Sequence, residues 1–268
     1  MYAPPSSPQS IGGVVDDALR LFRESFSRCW LLAIIPGLAL AVYEIAFPIA
    51  ILPHGSALTI LSAYEAVAHS PRIFGLDLVS LLLTLLFQGA VLVREIAIVR
   101  GDESCTLAQA LGKSARRLPG TILGTILFVV AIGAGFIALI IPGFWLWGRL
   151  QLWTAALFVE DASAIQSLGS SWRLTKERWW RAAAIFSVAV IILIVLSIVF
   201  SLVGGLVAAL VHASLAGRAA VLQLFSLGSG AIAYPLDAAI WLAMYHDFKL
   251  RLEGGDLAAR AGALSGVA

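Results

Sequence analysis

Three charged side chains, Glu44, Arg149 and Asp237, sit well inside long apolar stretches of this chain. A charge held at bilayer depth costs several kcal/mol, so residues retained there mark either a polar site or a structural ion pair. At about 1.5 Å per helical residue, Glu44 lies about 21 Å from Trp30, Arg149 about 16 Å from Glu160 and Asp237 about 13 Å from His246. All three then fall in the middle third of a membrane, and Gln88 is the nearest polar neighbour at that depth. Together Glu44, Gln88, Arg149 and Asp237 form a candidate mid-membrane cluster. It is read either as an ion pair fixing helix register or as a pocket for a phosphate, a carboxylate or a proton.

The elements that must position these residues are apolar helices. Of the 268 residues 60% are hydrophobic and only 13% charged, against roughly a quarter charged in soluble domains. A spanning helix needs about 20 apolar residues. Six segments qualify: about 30–53, 73–99, 119–141, 143–160, 180–203 and 220–246. The period-2 alternation of a membrane barrel is absent. The expected fold is all-α: a polytopic membrane protein with six transmembrane helices in three hairpins, each hairpin preceded by a cytoplasmic amphipathic helix. Residues 1–9, with Pro4, Pro5 and Pro8, are expected to be a disordered leader, 10–257 one membrane domain and 258–268 a cytoplasmic tail.

The amphipathic helices, about 10–28, 106–118 and 163–178, superpose from a capping residue: Ser10, Thr106 and Ser163, each with an arginine ten residues on, at Arg20, Arg116 and Arg173. In the first copy Ile11, Val14, Val15, Ala18, Phe22 and Phe26 line one face and Asp16, Asp17, Arg20, Arg23 and Glu24 the other, a pattern suited to lying on lipid. The third copy repeats Ser163, Ser167 and Ser171 every fourth residue, a small surface suited to docking on the bundle. A second echo, Ile34-Ile35-Pro36-Gly37 and Ile140-Ile141-Pro142-Gly143, predicts a kink or break at each proline, the second serving as an external hairpin. The stretch 54–72 is the largest external loop, with a short helix expected over Leu58 to Ala68.

All Lys and Arg except Arg72, Arg218 and Arg149 fall on one side of this topology. The bias puts both termini in the cytoplasm under the positive-inside rule. The net charge of +2 is therefore concentrated on one surface facing anionic head groups, which favours phospholipid over nucleic acid. Candidate head-group contacts are Arg20, Arg23, Arg116, Arg117, Arg173 and Lys176. No cleavable signal is expected, because the first cation is Arg20 and the first apolar run already spans. Cys29 and Cys105 fall on the reducing side, so no disulfide is expected. His54, His69 and His212 lack metal-ligand spacing, and no nucleophile elbow, HExxH helix or phosphate-binding glycine loop occurs. Accordingly no catalytic residue, metal site or cofactor is assigned. Trp145, Trp147, Trp153, Trp179 and Trp180 read as interfacial anchors or packing residues.

Two stretches carry a family resemblance: Ile140-Ile141-Pro142-Gly143 through Arg149-Leu150, Val159-Glu160, Ser171-Trp172-Arg173-Leu174-Thr175 and Trp179-Trp180-Arg181, and the run Tyr245-His246-Asp247 through Arg251-Leu252-Glu253-Gly254-Gly255-Asp256-Leu257. They resemble the glycerophosphoryl diester phosphodiesterase membrane domain and its free-standing bacterial relatives. The resemblance implies family positions at Arg149, Glu160, Trp172 and Asp247. It implies no hydrolysis, since the catalytic barrel of the fused proteins has no room in this chain. The expected function is thus a non-enzymatic integral protein of the bacterial cytoplasmic membrane, in envelope or lipid homeostasis, binding membrane phospholipids and either partner proteins or a second copy of itself. The alternative is a small permease-like transporter built on the mid-membrane cluster.

Overall fold

A computed structural model describes residues 2–46, 71–102, 104–211 and 215–265, without the side chains of 39–46, 71–73, 215–216 and 255–265. Eight helices carry the fold among them: α1 (Ile11–Ala46), α2 (Pro71–Val99), α3 (Leu107–Ala138), α4 (Ile140–Leu150), α5 (Trp153–Val159), α6 (Ala164–Thr175), α7 (Trp179–Leu210) and α8 (Leu215–Ser265). No strand occurs among the described residues. Four stretches, Phe74–Val99, Leu107–Ala138, Trp179–Leu210 and Gly217–Gly254, are long and apolar enough to cross a membrane. Their outer faces expose Val129, Val130, Ile191, Ile194, Val195 and Leu202, an apolar surface of a kind that water does not tolerate but acyl chains do. The expected loop at 54–72 lies almost wholly outside the described residues, as do His54, His69 and His212.

The repeat seen in the sequence does set where helices begin. Ser10 Oγ accepts from Gly13 N at 3.0 Å, Thr106 Oγ1 from Gln109 N at 3.2 Å and Ser163 Oγ from Gln166 N at 3.4 Å. In the second and third copies the glutamine side chain returns the bond to the cap backbone, a reciprocal box that satisfies two donors at the helix end. The copies then diverge. The first two continue without interruption into the apolar segments that follow, α1 running 36 residues through Pro36 and α3 32 residues through Pro119. Only the third stops, where Glu177 takes a left-handed conformation, φ 67°, and turns the chain into α7.

Two sequence expectations are modified here. The first amphipathic helix turns one side to protein: Val14, Asp17, Ala18, Leu21 and Ser25 are buried, because α1 packs along α8 and α2 and its inner face joins both halves of the core. Residues 1–9 are not a free leader. Described from residue 2, this segment is held by Tyr2, Pro5 and Gln9 through bonds given below. At its far end α8 continues through Ser265.

The helices meet through small residues. Ala18 and Ala33 of α1, Ala90 and Ala97 of α2 and Ala238, Ala239 and Ala243 of α8 are buried at their crossings, which lets backbones approach where lipid supplies no hydrophobic drive. The hairpin between α3 and α4 falls at Leu139, three residues before Pro142. That proline occupies the first turn of α4, where a missing N–H leaves nothing unbonded. A Cβ on Gly135 would come within 3.0 Å of Gly143 Cα, so the two helices touch backbone to backbone. On α3, a Cβ on Gly124 would strike the indole of buried Trp153. Gly124→Val should therefore lower stability by about 1–3 kcal/mol through overpacking, read as an earlier thermal unfolding in detergent. An unchanged transition would show that Trp153 is not packed there.

Candidate functional site

The fourth apolar segment, expected as one span over 143–160, is two helices with a break at Gln151 and Leu152. At 11 and 7 residues, neither α4 nor α5 is long enough to cross a bilayer alone. A break in an apolar setting needs protein partners for the freed backbone groups, and α6 supplies them. Ser171 Oγ donates to Arg149 O at 2.8 Å and accepts from Leu152 N at 3.1 Å. Thr175 Oγ1 donates to the same carbonyl at 3.1 Å. Ser167, Ser171 and Thr175 are all buried, so the every-fourth small stripe docks as its spacing predicts, with Ser163 left outside as the cap. Gln151 Nε2 reaches Ala182 O at 3.3 Å, tying α7 to the same break.

This arrangement fixes Arg149. Its guanidinium stands over the rings of Trp145 and Trp172, 5.1 and 5.2 Å from their centroids, while the two indoles meet edge to face at 5.1 Å. Nε and Nη1 are buried without a hydrogen-bond partner. Arg149 is thus placed beneath α6. Among the described residues no ion pair or hydrogen bond joins it to Gln88 or Asp237. Glu44 lies in α1 with its side chain outside the described set.

Asp237 has other company. Trp241, one turn on, bonds its carboxylate, and Glu95 of α2 lies within electrostatic reach. Glu95 is completely buried; Ser25 Oγ donates to its Oε1 at 2.9 Å, and Oε2 has no partner. Sequence reasoning missed Glu95 because it stands one turn from the end of α2 beside Arg94, which reads as a membrane edge. Arg94 in fact turns to Cys105 O at 2.7 Å, and the acid is left facing α1.

A second knot gathers the two ends of the chain. Asp247, buried at 3% exposure, accepts from Gln9 N at 2.8 Å, from Arg181 Nε and Nη2 at 3.1 and 2.9 Å, and from Arg251 Nε at 3.0 Å. Both arginines also donate to Gln9 O, at 2.6 and 2.5 Å. His246 Nε2 lies 2.9 Å from Pro5 O, and Tyr2 O–H donates to Asp17 Oδ2 at 2.8 Å. Residues 2–10 therefore form a strap across α1, α7 and α8. Asp247 is its anchor. Under the strap lies a cavity of about 320 Å³ with apolar walls from Leu21, Ile96 and Leu242 and polar groups from Tyr2, His246 and Lys249. A third link joins Glu160 to Tyr245 O–H at 2.6 Å and to Ser170 Oγ at 2.7 Å, holding the start of α6 against α8.

Of the six cations expected to meet head groups, Arg20, Arg23, Arg116, Arg173 and Lys176 are exposed. Arg117 is not free for that role. It pairs with the Asp161 carboxylate and donates to Asp161 O at 2.9 Å and Ala162 O at 3.1 Å. The reason is Asp161 itself, whose φ of 58° turns those carbonyls toward α3.

Helices able to cross a membrane, a mid-segment break closed by a docked surface helix and a cation-bearing end define an all-α membrane-bundle class. Within it, the chain belongs to the family described as domain of unknown function DUF7847, which matches residues 76–247. No curated protein and no solved structure matches it. The matched stretch holds Glu95, Arg149, Glu160, Trp172, Asp237 and Asp247 and begins after α1.

Two outcomes are expected here. Asp247→Ala removes the carboxylate shared by two part-buried guanidinium groups and one backbone N–H, a loss of roughly 1–3 kcal/mol. Amide hydrogen exchange at residues 2–10 should rise sharply, and unchanged protection there would refute the anchoring role. Asp17 is held above the usual carboxylate range, chiefly by burial, with the Tyr2 bond opposing the shift. Its ionisation therefore opposes folding. Stability is full below about pH 4, the ordinary Asp value, and falls as pH rises toward the elevated folded value. Melting curves of Asp17→Asn should lack that decline; a parallel pH profile in both proteins would exclude it.

Proposed function

We propose that this chain is a non-enzymatic integral protein of the bacterial cytoplasmic membrane that engages anionic phospholipid from its cytoplasmic side, in envelope or lipid homeostasis. The observation that carries this reading is the set of exposed cations, Arg20, Arg23, Arg116, Arg173 and Lys176, on segments that the bonds of Arg117, Asp247 and Glu160 gather toward one end of the bundle. Cations near a bilayer surface each contribute about 1 kcal/mol of attraction to anionic lipid.

The reading includes six passages with both termini cytoplasmic, α4 and α5 together making the fourth. Supporting it are the bias of Lys and Arg along the sequence, from which only Arg72, Arg218 and Arg149 depart, and the turn at Leu139 between α3 and α4. Kinship with the glycerophosphoryl diester phosphodiesterase membrane domain is part of the proposal. Its support is that the resembling residues Arg149, Glu160 and Trp172 fall where α4, α5, α6 and α8 are tied together, and Asp247 where α7, α8 and the strap meet.

Native mass spectrometry of the full chain, released from nanodiscs holding phosphatidylglycerol and phosphatidylcholine in equal parts, tests this. Retained lipid should be several-fold enriched in phosphatidylglycerol. Enrichment should fall on raising salt and in the triple variant Arg116→Gln, Arg173→Gln, Lys176→Gln. Retained lipid that mirrors the bulk mixture would sink the reading.

A further inference from the structure

Arg149 is a cation whose donors are not used by the protein. Nε and Nη1 are buried and unbonded, and no carboxylate pairs with the group among the described residues. Leaving a buried charged donor unsatisfied costs about 1–3 kcal/mol or more, and native structures rarely tolerate it without a reason. Loose placement is not that reason. The Arg149 carbonyl is pinned by Ser171 and Thr175, and the guanidinium is set against two indoles.

The indoles stand at the protein surface, Trp145 37% and Trp172 38% exposed. Around them the surface changes character over one or two turns. Ile141 and Phe144 of α4 are exposed on the apolar side, and Arg173 and Lys176 of α6 on the cationic side. An amphiphile with an anionic head and an apolar tail matches that sequence of surfaces. A guanidinium suits a phosphate in particular, because its fixed fork of donors matches phosphate oxygens.

We propose that Arg149, walled by the surface indoles of Trp145 and Trp172, is a binding site for the phosphate group of an anionic membrane lipid. The entering phosphate swings an indole edge aside and accepts from the unused guanidinium donors, while the tail lies along Ile141 and Phe144. The inference rests on the lipid-binding reading and names its specific site. Exposed cations enrich anionic lipid around the protein generally, and Arg149 retains one molecule.

The same nanodisc experiment separates the two. Wild type should hold one phosphatidylglycerol through collisional activation that strips the rest. Arg149→Gln should lose it by at least about tenfold while general enrichment persists. Arg149→Lys, which keeps the charge but not the fork, should fall between. The fold does not depend on the side chain's own bonds, and a matching thermal transition verifies each variant; the lysine variant gives the readout if glutamine fails to fold. Equal retention in folded Arg149→Gln or in Arg149→Lys would overturn the site with the general reading intact. Absence of any anionic enrichment in wild type would overturn the general reading. A second arm titrates detergent-solubilised protein with inorganic phosphate and follows tryptophan fluorescence. A saturable change lost in Arg149→Gln, without lipid retention, would assign the site to free phosphate; no response in either arm would refute it.

Discussion

A helix broken in an apolar environment must have its freed backbone groups bonded by protein, and in this chain that requirement falls on Gln151 and Leu152. Two hydroxyls from α6 meet it, Ser171 by giving one bond and accepting another across the break, Thr175 by doubling on the Arg149 carbonyl. Because these bonds demand close approach, α6 presents Ser167, Ser171 and Thr175 inward and leaves its cations outward. The surface helix is thus as much a part of the core as the long helices. The location of Trp172, and through it the setting of Arg149, follows from the same contact.

The second constraint is electrostatic. Asp247 would be an isolated buried carboxylate without Arg181 and Arg251, and each arginine would carry an unshared charge without Asp247. Gln9 completes the group with both its N–H and its carbonyl. Two helices, α7 and α8, and the strap that leads into α1 converge there. One buried aspartate therefore sets how α1, α7 and α8 meet, and the cavity beneath the strap is a product of that convergence. Glu95 is a different case, a buried acid that accepts from Ser25 and has Asp237 close by. Its unbonded oxygen leaves α1, α2 and α8 joined at a point that carries more acid than base.

Helix starts were legible because they depend on local chemistry: a hydroxyl followed three residues later by an amide or a flexible glycine announces Ser10, Thr106 and Ser163. Docking of the third copy was legible for the same reason, since a four-residue repeat of serines describes one helix face. The surroundings of Arg149 were hidden because the sequence reads as an unbroken helix from residue 143 to 160. A break at Gln151 carries no proline or glycine to mark it, and is stable only because α6 lies against it. Burial of the first copy was equally hidden, since an amphipathic face has the same pattern whether it meets lipid or α8. The leader, with three prolines, has the composition of a free segment, and its order derives from partners more than 200 positions away in the chain.

Those partners impose a schedule on assembly. The peptide N–H of Gln9 is bonded to a carboxylate separated from it by 238 positions, and the most extensive helix contact joins α1 to α8. Within this stretch α1 therefore cannot complete its packing, with Ala18 and Asp17 covered, until α8 has been made. During that interval α2 is the helix that α1 packs against. A bundle in which α1 and α8 make the most extensive helix contact gains that contact only once the helices between them are in place.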